Sequence, residues 1–375
     1  MRRFILLIMI VFLAYVSKPL WEEHVQQLDP TTIMESFSSK VNEIKEDEAF
    51  LALMDSITQQ IDLLLDPTDG PREERDVFED IAAPELAEPR EQPFSIHNVE
   101  IGNTRAEVEE IIGRSPNRST LNEYGGNWNT YHHDYQNFIM VAYDEDDIVR
   151  GLYTNQDLIA SSTDISLGSS MQFVQEQLGT PESVIRYGTF NYQLTTNGEY
   201  DVFHLDNKYV TIFYDQHENK TVTAMKVIDD EWVRNKTGLY TKPSQQLQEG
   251  FEYQLFDVTN ATRRNHGLPL LTWDEHVRGT ARKHSLDMAE NEYFSHTNLQ
   301  GQSPFERMKE DNIQFMMAAE NLAYGQISSI FAHEGLMNSI GHRENILNKD
   351  LRRLGVGVAF NDDSKPYYTK KYFSS

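Results

Sequence analysis

The sequence predicts an α+β protein with two folded domains behind a polar stalk, and three observations carry that expectation. A capped helix followed by a β-hairpin pattern occurs twice, 66 residues apart (167 minus 101). Farther on, a series of capped helices gives way to apolar alternation at strand spacing. The length of 375 residues also exceeds what one core ordinarily organises, domains running to roughly 100–200 residues.

At the N-terminus Arg2 and Arg3 precede an uninterrupted apolar run over residues 4–16, followed by Ser17-Lys18-Pro19. Thirteen residues suit the apolar core of an export signal, whereas a membrane span needs about 20. Segment 1–20 is therefore a signal peptide or an uncleaved anchor. The protein is expected to be extracytoplasmic, secreted or held to the cell membrane by its N-terminus, with no other membrane contact. Residues 21–93 read as a helical stalk and a linker. Ile33, Phe37, Val41 and Ile44 recur at helical spacing, and residues 66–93 hold five prolines and ten acidic residues against three arginines. Such a stretch repels itself and buries little apolar surface, so it stays extended.

Lys plus Arg number 33 against 59 Asp plus Glu, a formal charge of -26. That excess disfavours nucleic acid and other polyanions as partners and suits cations or neutral ligands. The absence of cysteine excludes thiol nucleophiles, thiolate metal sites and disulfides, leaving core packing to stabilise an exported chain.

Segment 94–238 contains the repeat. Ile101-Gly102-Asn103-Thr104 and Leu167-Gly168-Ser169-Ser170 each place a glycine and a polar cap before a short helix, with apolar residues at Val108, Ile111 and Ile112 or at Val174 and Leu178. Gly113 and Gly179 close the two helices. Strand-like runs follow at 138–143 and 148–153, and again at 209–214 and 221–228, each pair joined by a polar turn. His132-His133-Asp134 is the one tempting cluster. Neighbours on a strand face opposite ways, so the two histidines read as structural or surface residues.

Segment 244–375 begins with Ser244 capping a helix that carries Leu247, Phe251, Leu255 and Val258, ended by Gly267 and Pro269. Thr272-Trp273-Asp274-Glu275 and Ser303-Pro304-Phe305-Glu306 read as capping boxes for two more helices, and a fourth spans 329–338. His284, among apolar neighbours on its helix, reads as a packed core histidine. Val356, Val358 and Phe360, then residues 367–373, form the closing strands.

The same segment holds, in order, Asn260, Arg264, Gly267-Leu268-Pro269-Leu270, Trp273, Phe294-Ser295-His296, Ala319-Glu320-Asn321, Gly341-His342-Arg343, Asn345-Ile346-Leu347 and Gly355-Val356-Gly357-Val358. In this it resembles the bacterial SCP-like branch of the CAP superfamily (cysteine-rich secretory proteins, antigen 5, pathogenesis-related proteins). Segment 94–238 is similar to the CAP-associated domain found ahead of some bacterial CAP domains. The resemblance implies a C-terminal α-β-α sandwich with a surface cavity lined by two histidines and two acids, which in some members hold a divalent cation. Carried over, the histidines are His296 and His342 and the first acid is Glu320, with Asn321 beside it. The place of the second acid, three residues after Leu336, falls on Ser339. Leu336 stands where the family has tryptophan, and the family's aromatic-Trp-Thr-Gln pattern becomes Tyr367-Tyr368-Thr369-Lys370.

His296, His342 and Glu320 are thus candidate ligands for a divalent cation, zinc by ligand type. Each also has a structural reading: His296 closing a loop, His342 holding the next loop to the core, Glu320 satisfying backbone amides. Ser295 next to His296 lacks the geometry and the orienting acid of a hydrolase triad, and no HExxH signature occurs. The first functional expectation is a noncatalytic binding module whose cavity takes a cation or a small lipid-like ligand. A metal-assisted hydrolase directed at peptides or cell wall, and a surface scaffold for a cell-surface protein, are the alternatives.

Overall fold

A computed structural model describes residues 81–375; the expected signal or anchor at 1–20 and the helical stalk lie outside the described residues. The chain from 81 to 90 forms no helix or strand and is tied to the following domain. Gln136 Oε1 accepts from Ile81 N at 3.1 Å, and Asn98 Oδ1 accepts from Ala87 N at 2.8 Å.

The first copy of the repeat comprises β1 (Phe94–Ile96), α1 (Arg105–Ile112), β2 (Arg118–Leu121), β3 (Asn127–His133), β4 (Gln136–Tyr143) and β5 (Val149–Thr154). Thr104 and Glu107 form a capping box, and Gly113 ends α1 at φ 76°, in the left-handed region that glycine enters without a Cβ penalty. After β6 (Ile159–Ser161), which pairs with β1, the second copy runs through α2 (Met171–Leu178), β7 (Val184–Tyr187), β8 (Phe190–Gln193), β9 (Tyr200–Leu205), β10 (Lys208–Asp215) and β11 (Thr221–Asp229). The loop before each helix is laced to the last strand of its copy in the same way. Gly102 N donates to Val149 O and Gly168 N to Val222 O, both at 2.9 Å. The expected hairpins are β4–β5 and β10–β11, and each gains a preceding strand, so a helix is followed by a three-stranded meander.

The meanders join through β5 and β11 into one antiparallel sheet ordered β2-β3-β4-β5-β11-β10-β9. Both faces of this sheet are buried, which accounts for the apolar run in β4 and the run in β10 broken only by Thr211. Ile139, Val141, Ile212 and Tyr214 lie under the helices, whose Val108 and Val174 are fully buried. Phe138, Met140, Tyr153 and Phe213 face the other way and pack on Val258, Ala261 and Ile330 of the C-terminal domain.

A short helix α3 (Asp230–Asn235) leads to that domain: α4 (Gln245–Asn265), β12 (Thr272–Trp273), α5 (Glu275–Glu290), α6 (Pro304–Glu310), β13 (Met317–Tyr324), α7 (Ser329–Met337), α8 (Ile340–Ile346), β14 (Arg353–Phe360) and β15 (Pro366–Ser374). Ser244 caps α4 and a Ser303–Glu306 capping box opens α6, as expected. The box expected at Thr272 does not form. Thr272 and Trp273 are drawn into parallel pairing with β14, and Asp274 caps α5 instead, accepting from Val277 N at 3.0 Å.

The strands order as β12-β14-β15-β13. Leu354, Val356 and Val358 join Leu247, Phe251, Leu255 of α4 and Leu336 of α7 in one core layer. On the opposite face α5 lies so close that a Cβ on Gly355 would fall 2.3 Å from Arg278 N. The result is an α-β-α sandwich. Gly250 settles how it meets the first domain: a Cβ there would fall 2.2 Å from Leu121 O, so α4 seats against β2 only with glycine at this position.

Candidate ligand-binding site

β13 positions the two central candidates. Adjacent strand residues point to opposite faces, and Glu320 and Asn321 accordingly meet different partners. Glu320, its side chain 2% exposed, accepts from Arg307 on α6 at 3.1 and 2.9 Å, from Lys371 on β15 at 2.5 Å, and pairs with His296 Nδ1 at 2.9 Å. Burial alone would raise this carboxyl. The His296 hydrogen bond and the charges of Lys371 and Arg307 outweigh it and hold the group at about 2. Asn321 is fully buried, donates to His342 O at 2.9 Å and accepts from Asn345 at 2.8 Å, fastening α8 to the edge strand.

His342 is half-buried, and its Nδ1 has no partner. Burial pushes its imidazole down, with His296 and Lys370 adding to the effect. Ser339 stands at the N-cap of α8 but its hydroxyl caps nothing. His296, half-exposed, follows α5 on a loop that Arg307 pins by donating to His296 O at 2.8 Å and Gln302 O at 2.9 Å. His284 is buried, with Nε2 at 3.0 Å from Ser295 O, as a core histidine should be.

The five candidates therefore gather around one edge strand but have unlike surroundings. Both oxygens of Glu320 are engaged by cationic side chains, which opposes a divalent ion, and a hydroxyl replaces the second acid. Among the described residues no group of three or more His, Asp or Glu is arranged to hold a metal ion. This donor set does not fit one.

His342 and Ser339 instead face a cavity of about 650 Å³ between the two domains. Its walls come from β9 to β11 (Tyr200, Tyr209, Phe213), from the β7–β8 hairpin (Tyr187, Tyr192), and from the C-terminal domain (Phe294, Tyr324, Phe331). The hairpin is where the copies of the repeat diverge. β2 and β7 occupy the same place 66 residues apart (184 minus 118), yet β2 pairs into the large sheet while β7 pairs only with β8. Detached in this way, the hairpin becomes a wall of the cavity.

Residues 101–239 match the CAP-associated N-terminal family, and residues 256–372 match the cysteine-rich secretory protein (CAP) family. The chain is a CAP-domain protein. Over 291 residues it is 28% identical to the "uncharacterized membrane protein YlbC" of Bacillus subtilis, covering 72% of this chain and 82% of that one. The "uncharacterized protein YkwD" of the same organism is 40% identical over 107 residues, 28% of this chain and 42% of that one. An extracellular SCP-domain protein of Bacillus anthracis superposes with a TM-score of 0.64 at 24% identity, over 79% of this chain and all of that one. A cysteine-rich secretory protein of Staphylococcus aureus gives 0.61 at 17%, over 78% and 97%. At these identities the two structures establish the fold.

One group that the sequence reading passed over stands where the CAP domain meets its neighbour. Glu334 on α7 is buried and accepts from Tyr153 Oη of β5 at 2.7 Å. Burial pushes its carboxyl up to about 7; the Tyr153 bond opposes this and Asp215 reinforces it. The signal was legible in α7, where His333-Glu334 interrupts an apolar run. A folded value above the ordinary 4.5 means the ionised form is disfavoured in the fold. The group's stabilising contribution is complete below pH 4.5 and is lost as pH rises through about 7. Glu334→Gln, which cannot ionise, is expected to match the parent at pH 5 and to exceed it at pH 8 by up to about 3 kcal/mol. Thermal melts at the two pH values check this, and equal melting temperatures at pH 8 contradict it.

Proposed function

We propose that this CAP-domain protein is an extracytoplasmic, noncatalytic binding module whose ligand occupies the cavity between the CAP domain and the CAP-associated domain. The observation that carries the reading is the cavity itself. Its volume of about 650 Å³ lies within the range of roughly 300–1,000 Å³ usual for small-molecule sites, and ten of the residues that line it are Phe or Tyr. A metal-assisted hydrolase has less support, because the Glu320 carboxylate that would serve as ligand or base is already engaged by Arg307, Lys371 and His296. Placement outside the cytoplasm is supported by the apolar run at 4–16, and by relatives whose names describe a membrane protein and an extracellular protein.

Gly335 on α7 supplies the test, since it lines the cavity and a Cβ there meets no atom within 4 Å. The parent is expected to bind the uncharged probe N-phenyl-1-naphthylamine saturably with enhanced fluorescence, and Gly335→Trp to fill the space and lose most of that signal while melting normally. Equal enhancement in both proteins would place the probe elsewhere.

A further inference from the structure

We propose that the ligand class of this cavity is a neutral carbohydrate, a reading that rests on the cavity being the ligand site. Three features of the walls point there. First, partly exposed aromatic rings line the cavity from both domains: Tyr192 on the hairpin, and Tyr324 and Phe294 on the CAP domain, are 38%, 38% and 50% exposed. Rings left partly bare in this way offer flat faces to the C–H faces of a pyranose.

Second, polar groups without protein partners alternate with the rings. Burial is the sole influence on the Glu199 carboxyl, which no hydrogen bond or ion pair reaches, and it is pushed up accordingly. The Tyr200 hydroxyl beside it is raised by burial and then by the Glu199 charge, with no hydrogen bond. The Ser339 hydroxyl is free of its cap role. A carboxylate only accepts, whereas hydroxyls both donate and accept, so this set matches a ligand rich in hydroxyl groups. A hydrocarbon chain would bury these groups unpaired, at a cost of about 1–3 kcal/mol each.

Third, charge in the walls is balanced against either kind of ion. Lys226, nearly fully buried, has its Nζ 3.7 Å from Glu123 and 4.5 Å from the centre of the Phe331 ring. Lys236, outside the lining itself, sits 5.2 Å from the Tyr124 ring and 5.1 Å from the Tyr187 ring, both of which line the cavity. These ammonium groups already occupy aromatic faces that a cationic ligand would need. Glu199 in turn disfavours an anion.

The test uses the full chain in detergent on an array of neutral mono- to tetrasaccharides of glucose, galactose, mannose and N-acetylglucosamine, with affinities of retained sugars measured by calorimetry. Saturable binding is expected, weakened at least about tenfold by Tyr192→Ala combined with Tyr324→Ala and about tenfold by Glu199→Gln. Circular dichroism should be unchanged, since Tyr192 and Tyr324 are partly exposed and the Glu199 carboxyl bonds to no other side chain. Two results overturn the proposal: no sugar retained by the parent, or retention that the variants do not weaken. If the fluorescent probe of the preceding section still binds in the cavity, the sugar assignment alone fails. If neither binds, the cavity reading fails with it.

Discussion

Replacing Glu320 by alanine is expected to destabilise the protein by about 3–5 kcal/mol, because the change strands Lys371 and Arg307 in the interior without their counter-charge. Lys371 is fully buried and Arg307 is 7% exposed, so neither can turn to solvent. For a folded region of this size the melting temperature should fall by about 10 °C. The double variant Glu320→Ala with Lys371→Met should lose less than the sum of the two single changes, since it removes both members of the pair. Strict additivity would show that the contact carries no coupling. The acid limb of stability follows from the same group. With its folded value at about 2, below the ordinary 4.5, the carboxylate's contribution is complete above pH 4.5 and is lost as pH falls toward 2. That difference is worth about 3 kcal/mol, and acid melts of the parent against the double variant measure it.

Gly357→Ala is expected to destabilise the protein as well, by a different route. A Cβ at this position would fall 2.1 Å from Arg282 N and 2.3 Å from Ala281 C. Both atoms belong to the backbone of α5, so no side chain can swing aside. The helix must lift from β14, and overpacking of this kind typically costs about 1–3 kcal/mol or more. Low soluble yield or a melting temperature lower by about 10 °C is expected. Gly335→Ala is the control. Its Cβ meets nothing within 4 Å, and a glycine-to-alanine change inside a helix stabilises by about 0.5–1 kcal/mol. If Gly357→Ala melts with the parent, the close seating of α5 on the sheet is wrong.

Much of the fold was legible because its signals are local. Thr104, Ser170, Ser244 and Ser303 cap the helices that their spacing predicts, and the apolar runs of β4 and β10 mark strands buried on both sides. The misplaced cap at Thr272 shows the limit. Asp274 and Thr272 are both competent caps, and a parallel strand eighty residues away decided between them. For the site, motif order marked His296, Glu320, Asn321, Ser339 and His342, and all five lie around one edge strand. What motif order could not convey was the company that Glu320 keeps. Arg307 and Lys371 belong to no motif with it, and only the antiparallel register of β13 with β15 sets Lys371 opposite Glu320.

The amino-acid sequence by itself determined the α+β class, the duplicated helix-and-hairpin unit and the CAP relationship. These depend on period, caps and motif order, which a chain carries wherever it folds. The tertiary structure alone decided that the two domains share a core through Val258, Ala261 and Ile330, that Glu320 is an ion-pair hub, and that a tyrosine-lined cavity lies between the domains. Its walls are drawn from strands, a hairpin and a helix separated by more than a hundred residues. Such a space is a property of long-range packing, and no local pattern in the sequence encodes its shape.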